Sequence, residues 1–290
     1  KDGNKFIKRL KEGISNSRDF NQLVNIATDG ESYGHHTKFG DMALAYVLKI
    51  RAEDEGFVLT NYGEFLDKFR SDWEVDIKQA SSWSCFHGVG RWKEDCGCST
   101  GGHPGWNQKW RKPLREALDY LRDELSIIFE KEGEKYFKED PWTVRNKYID
   151  VILDRTERAI KRFQEEYFLP ELSDEEKVSG MELLEIQRQA MLMYTSCGWF
   201  FSEISGIETT QIMKYAARAM QLAKNFTTKD LESKFLEILS NAQSNFKEYG
   251  NGKDIYERFV KPSVVTLKQI ASLWAISSLY EDFDDEQDVY

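Results

Sequence analysis

Asp29, Glu31, His35 and His36 fall within the segment 26–40, IATDGESYGHHTKFG, and carboxylates and imidazoles at this spacing are equipped for proton transfer or for holding a metal ion. A second set, Cys85, His87, Cys96 and Cys98, pairs a CxH with a CxC. Four soft ligands on a glycine-rich stretch are enough to close a tetrahedral zinc site, although one-residue gaps are awkward because alternating side chains must converge. Partly buried thiols are the alternative reading, with His87 as a binding residue. A third set, Arg91, Trp92, Trp106, Asn107, Gln108, Trp110 and Arg111, combines flat aromatic faces with amide and guanidinium donors, the inventory of a sugar subsite. The competing reading is a loop pinned by buried Trp, favoured for Trp110, whereas Trp92 is read as a binding residue. Cys197-Gly198-Trp199-Phe200-Phe201 reads as a packed aromatic hinge, with Trp199 as a further candidate for ligand contact.

The elements that carry these groups differ along the chain. Leu23, Val24, Ile26 and Ala27 form a buried-strand pattern, followed by turns at Gly30 and Gly34 and a helix start near Phe39. Asp29, Glu31, His35 and His36 are thereby expected at the carboxyl end of a strand, the edge where α/β and barrel folds place catalytic groups. A polar loop with an Asp cap is the plainer alternative. An amphipathic helix carrying Phe6, Ile7, Leu10 and Ile14 precedes this strand, and one striped with Met42, Leu44, Tyr46, Val47 and Ile50 follows it. A single buried strand needs neighbours for its backbone groups, so residues 1–50 require a sheet they mostly lack. Residues 56–60 and 73–77 read as short extended segments and 61–69 as a short helix. The stretch 80–107 is glycine-rich and irregular. From 108 the pattern turns helical: Leu114, Leu118, Leu121, Leu125 and Ile128 recur at helical steps to about 138. Asp140-Pro141 opens a helix lined by Val144, Tyr148, Val151, Ile152, Ile160 and Phe163, and Ser173 to Glu176 is a capping box for another. Helices near 206–225, 228–248 and 254–281 complete a bundle, the last interrupted at Pro262.

The chain has 290 residues with a net charge of −10. That balance argues against a nucleic-acid surface, which relies on clustered Lys and Arg, and leaves a neutral polymer open as partner. No apolar run approaches the roughly 18 residues of a membrane span. Four cysteines are too few and too clustered for a secreted disulfide framework, which favours a reducing cytoplasm. Aromatic residues make up 13%, with eight Trp, and such faces serve either sugar stacking or core anchoring.

Asp29-Gly30-Glu31-Ser32-Tyr33-Gly34-His35 resembles the fourth sequence motif of glycoside hydrolase family 57, whose members act on α-glucans by a retaining mechanism. The segments SWSCFHGVGRWKEDCGCSTGGHPGWNQKWRKPLR at 82–115 and MYTSCGWFFSEISGIETTQ at 193–211 resemble an uncharacterised domain at the carboxyl end of some family 57 proteins. The resemblance implies Asp29 as general acid/base and no required cofactor, with zinc at Cys85, His87, Cys96 and Cys98 an addition, and the residue types themselves make Glu31, His35, His36, His87, Arg91, Trp92, Trp106 and Trp199 the substrate-binding candidates. The family's nucleophilic Glu lies upstream of the Asp motif, yet only Glu12, within an amphipathic helix, precedes Asp29 here. Retaining hydrolysis needs two carboxyl groups roughly 5 Å apart. The chain therefore reads as the carboxyl-terminal part of a longer or split enzyme, inactive by itself, whose partners are an upstream catalytic barrel and an α-glucan or oligosaccharide.

The expected fold is mainly α (α+β): the last βα part of a (β/α)7 barrel at 1–55, an irregular segment covering the active site at 56–107, an α-helical bundle at 108–281 and an acidic tail at 282–290. Hydrolase and glucanotransferase differ only in whether water or a sugar hydroxyl takes the intermediate, which these residues leave open. A non-catalytic carbohydrate-binding or assembly module is the rival class. A metal held by Asp29 with His35 or His36 would instead make the chain a metal-dependent member of the broader barrel superfamily.

Overall fold

The computed structural model describes residues 2–281, and the acidic tail at 282–290 lies outside them. The chain divides between Lys78 and Gln79 into two compact units, a division that falls inside the segment 56–107.

In the first unit, α1 (Gly3–Lys11) starts where the Asp2 side chain accepts from the Asn4 and Lys5 amides, and it buries Ile7. Helix α2 (Gly40–Tyr46) continues through a π-helical turn, Val47–Arg51, that buries Val47. Helix α3 (Tyr62–Lys68), within the short helix expected at 61–69, is capped by Asn61, which accepts from the Glu64 amide. The strand expected at 23–27 does not form. Among the described residues there are only isolated β-bridges and no named strand, so the barrel element is not present as a strand. Leu23 and Ile26 are 37% and 40% exposed. The cause is the one the sequence raised: a strand without a partner for its backbone groups has no ladder to join. The segments 56–60 and 73–77 are also unpaired, with Val58, Trp73, Val75 and Ile77 exposed. Leu23, Val24, Ile26, Val58 and Leu59 line an open groove of about 1100 Å³.

The second unit is the helical body. Its longest helix, α4 (Arg111–Gly133), buries Leu114, Leu118, Leu121 and Leu125, each contributing about 1.5–3 kcal/mol. The stretch after Asp140 was expected to be one helix and is three: α5 (Pro141–Lys147), α6 (Ile149–Leu153) and α7 (Glu157–Tyr167). Asp154 leaves helical geometry, and Thr156 then caps α7 by accepting from the Ala159 amide, so local capping outcompetes continued periodicity. Helix α8 (Asp174–Leu192) opens with the expected capping box between Ser173 and Glu176. Helix α4 packs against α8 and against α10 (Leu231–Leu239), and α8 packs against α9 (Ile207–Ala223). Helix α10 is much shorter than 228–248. After a 3-10 turn at Lys261–Ser263 containing Pro262, α11 runs over Leu267–Ser277.

No helix of the described residues is long and apolar enough to cross a membrane.

Candidate metal centre and adjoining loop

Residues 79–107 hold little regular structure beyond a 3-10 turn, Gly90–Trp92, and side chains fasten them to the helical body. Arg91 is 5% exposed and donates to the carbonyls of Phe200 at 2.7 Å and Ser84 at 3.0 Å. Trp92 gives its indole N–H to the Ser196 carbonyl at 2.9 Å. Thr100 meets the Ser202 hydroxyl through both its amide and its own hydroxyl, at 3.0 and 2.9 Å. Asn245 closes the far end: it accepts from the Asn107 amide and donates to the carbonyls of Asn107 and Ser202, all at 3.0 Å. Beneath it the buried Glu203 carboxylate accepts from the Ser244 hydroxyl and from the Asn245 and Ser205 amides.

The cysteine and histidine set converges inside this fastened loop. Cys85 Sγ lies 3.8 Å from Cys96 Sγ and 3.7 Å from Cys98 Sγ, and Cys98 Sγ lies 3.6 Å from His87 Nδ1. All four ligand atoms lie within 4.8 Å of one another. The one-residue gaps prove no obstacle, because Phe86 lies in a turn and Gly97 is left-handed. Gly97 has φ of +76°, a left-handed conformation open to glycine that turns Cys96 and Cys98 to the same side instead of alternating them. Gly88 has φ of +71°, and a Cβ there would sit 2.2 Å from the Ala80 carbonyl oxygen, so the turn after His87 also demands glycine.

Two guanidiniums border the cluster. Arg111 is 0% exposed and donates to the carbonyl of Cys98 at 2.7 Å and of Phe201 at 3.3 Å. Burial, with the like charge of Arg91, pulls Arg111 down to about 10, while Cys96, Cys98 and Asp95 act the other way. Burial pushes the Cys96 thiol up. At Cys85 burial also acts upward, but the amides of Arg91 and His87 and the neighbouring thiols outweigh it and bring the group to about 6. The environment therefore favours negative charge on Cys85 and disfavours it on Cys96.

Trp199 and Arg91 are not ligand-facing. Trp199 is 1% exposed, stacks on Tyr194 and donates to the Arg111 carbonyl, because an indole beside two helices gains most from burial. Arg91 spends its donors on backbone carbonyls and lies over the Phe200 ring, 4.6 Å from its centre. Trp92 is half-buried with its N–H committed to Ser196. Trp106 stacks on the exposed His103 at 3.8 Å and meets the edge of Phe246, which makes this pair the more open aromatic platform of the loop. Trp110 is buried, as expected. Ser202, Glu203 and Asn245 were missed as loop anchors, since their partners lie far away in sequence.

In the first unit, Asp29, Glu31, His35 and His36 are exposed on a tight turn in which the Ser32 amide donates to the Asp29 carbonyl and the His36 amide to the Glu31 carbonyl. His36 Nε2 lies 3.2 Å from a Glu31 carboxylate oxygen, and Glu31, His35 and His36 bring one ligand atom each within 4.8 Å of the others. Asp29 is not part of that group.

Residues 106–290 match the family model described as a domain of unknown function, DUF3536. The chain belongs to this family. The DUF3536 region starts at Trp106 and takes in the helical body from α4 onward, whereas Cys85 to Cys98 stand just before it. No curated protein and no solved structure matches the chain.

Proposed function

We propose that this chain is the carboxyl-terminal portion of a retaining α-glucan-active glycoside hydrolase or glucanotransferase of the family 57 type, with Asp29 as general acid/base and the nucleophilic Glu outside the chain. The observation that carries the reading is the pairing, in one chain, of a DUF3536 region at 106–290 with the Asp29 to His35 segment, exposed on a surface turn. Uncharacterised domains like the former accompany the catalytic barrel in family 57-like proteins. The exposed Leu23, Ile26, Val58 and Leu59 and the open groove they line fit an element that rests against further barrel strands.

In this reading Asp29 protonates the departing glycosidic oxygen while the missing carboxylate attacks the sugar, and then deprotonates the water or sugar hydroxyl that releases the intermediate. The upstream barrel and an α-glucan or oligosaccharide are the partners, and the cytoplasm is the proposed location. In the natural protein carrying the barrel, Asp29→Asn should keep ligand affinity and lose most turnover, with a smaller loss on substrates with very good leaving groups. Parent-like turnover by that variant on ordinary glucans overturns the assignment. Robust glucan cleavage by residues 1–290 alone overturns the need for an outside nucleophile. Binding without turnover in the complete protein supports the non-catalytic module instead.

The grouping of Glu31, His35 and His36 favours a second reading, a metal-dependent carbohydrate-active enzyme. Turnover abolished by a chelator and restored by a divalent cation, with His35→Ala inactive, selects it over the first.

A further inference from the structure

We propose that Cys85, His87, Cys96 and Cys98 bind one zinc ion in a closed, structural centre that fixes the loop 79–107 on the helical unit. A tetrahedral zinc ion with bonds of about 2.3 Å to sulfur and about 2.0–2.1 Å to nitrogen separates two sulfurs by about 3.8 Å and a sulfur from a nitrogen by about 3.5–3.6 Å. Cys85 lies 3.8 Å from Cys96 and 3.7 Å from Cys98, Cys98 lies 3.6 Å from His87 Nδ1, and the other three pairs of ligand atoms lie within 4.8 Å. Three of the six edges thus already have the lengths of a zinc tetrahedron, and the other three are short enough to close onto one ion.

Charge supplies an independent argument. Arg91 and Arg111 are buried, neither forms an ion pair among the described residues, and the Nε of each lacks a hydrogen-bond partner. Two buried guanidiniums without a counter-ion are costly. Zinc carries two positive charges and three thiolates carry three negative ones, so the loaded centre is a monoanion set beside this pair. Binding exchanges three thiol protons for one zinc ion: three S–H bonds break, three Zn–S bonds form, His87 Nδ1 donates its lone pair, and three protons pass to solvent. No oxidation occurs. Four protein ligands fill the coordination shell and leave no position for substrate, which makes the ion a brace instead of a catalyst. Arg111 orients the Cys98 carbonyl and Arg91 the Ser84 carbonyl, so both ends of the ligand segment are held from behind.

The inference does not depend on the glucan reading. The test uses the 290-residue chain purified without chelator. Elemental analysis is expected to give about one zinc per chain, and cobalt(II) replacing it should show the strong visible bands of a tetrahedral thiolate site with a sulfur-to-cobalt charge-transfer band. Chelation should lower the melting temperature, and added zinc should restore it. Cys96→Ser should abolish stoichiometric zinc, His87→Cys should retain it, and Cys197→Ser, at an exposed cysteine elsewhere, should leave it unchanged. If Cys96→Ser does not fold, the chelated parent chain gives the same reading by zinc titration. A parent chain that takes up no zinc, or whose thiols react at once with a thiol reagent whether or not zinc is present, overturns the proposal. So does full zinc occupancy in the double variant Cys85→Ser, Cys98→Ser.

Discussion

Arg111, in the first turn of the longest helix, donates its Nη1 to the carbonyl of Cys98 at 2.7 Å. One fully buried side chain therefore ties α4 to the last member of the cysteine and histidine cluster, and its second terminal nitrogen reaches the Phe201 carbonyl at 3.3 Å. Charged hydrogen bonds of this kind contribute about 1.5–3 kcal/mol each. Arg111→Met, which keeps the stem and removes the donors, is expected to cost about 2–4 kcal/mol. Urea melts of the two proteins check this, and a loss below about 0.5 kcal/mol refutes the role as a tie.

Trp92 is read from sequence as a sugar-stacking residue, a role whose loss would leave stability untouched. Its bond to Ser196 at 2.9 Å predicts otherwise. Trp92→Phe should destabilise by about 1 kcal/mol, the net value of one hydrogen bond, and Trp92→Ala by more. An unchanged melting temperature for Trp92→Ala returns this residue to the ligand surface.

For the turn at 29–36 the expectation is the reverse. Asp29, His35 and His36 are exposed, and exposed side chains without buried partners shift stability by no more than about 0.5 kcal/mol. Asp29→Asn, His35→Ala and His36→Ala should each melt with the parent chain, so any activity lost in the complete protein is chemical. A large drop in melting temperature for any of the three assigns that residue a structural part instead.

Glu185 on α8 is expected to steepen acid unfolding. Burial acts to raise its carboxyl, but the Tyr148 hydroxyl at 2.6 Å and the Arg155 guanidinium at 2.9 Å outweigh burial and hold it below the usual carboxylate range. A folded-state value below the unfolded one stabilises the native state above the unfolded pKa of about 4.3, and the contribution disappears as pH falls through the folded value. Glu185→Gln should cost about 1–2 kcal/mol at neutral pH and flatten the acid limb of the stability curve. Parallel stability curves for parent and variant between pH 7 and the acid transition would falsify this coupling.

How much of this was legible in the sequence depended on how local the cause was. The leucine stripe of α4, the Ser173 cap and the proline start of α5 are decided within a few residues, and the structure has them where the pattern predicts. The strand at 23–27 does not form because four apolar residues among five state only that a segment prefers burial, and pairing is a property of its neighbours. The helix after Asp140 was overextended because a capping Thr156 outweighs a continuing apolar period. The CxC spacing looked unsuited to convergence until Gly97 was seen at positive φ, although that glycine is itself visible in the sequence. Glu203 and Asn245 were illegible, since nothing local announces a partner lying 138 residues away, as Asn107 is from Asn245.

Those separations also set an order of events during folding. The cluster from Cys85 to Cys98 closes a short stretch of chain, a search with a small entropic cost. The bonds that seat the stretch span 104 residues from Trp92 to Ser196 and 138 from Asn107 to Asn245, so they wait until the intervening helices have assembled. Seating of the loop is then a late step in refolding. Trp92 sits at that junction and carries its own fluorophore, and in a protein whose other tryptophans are replaced its emission would time the completion of the helical unit.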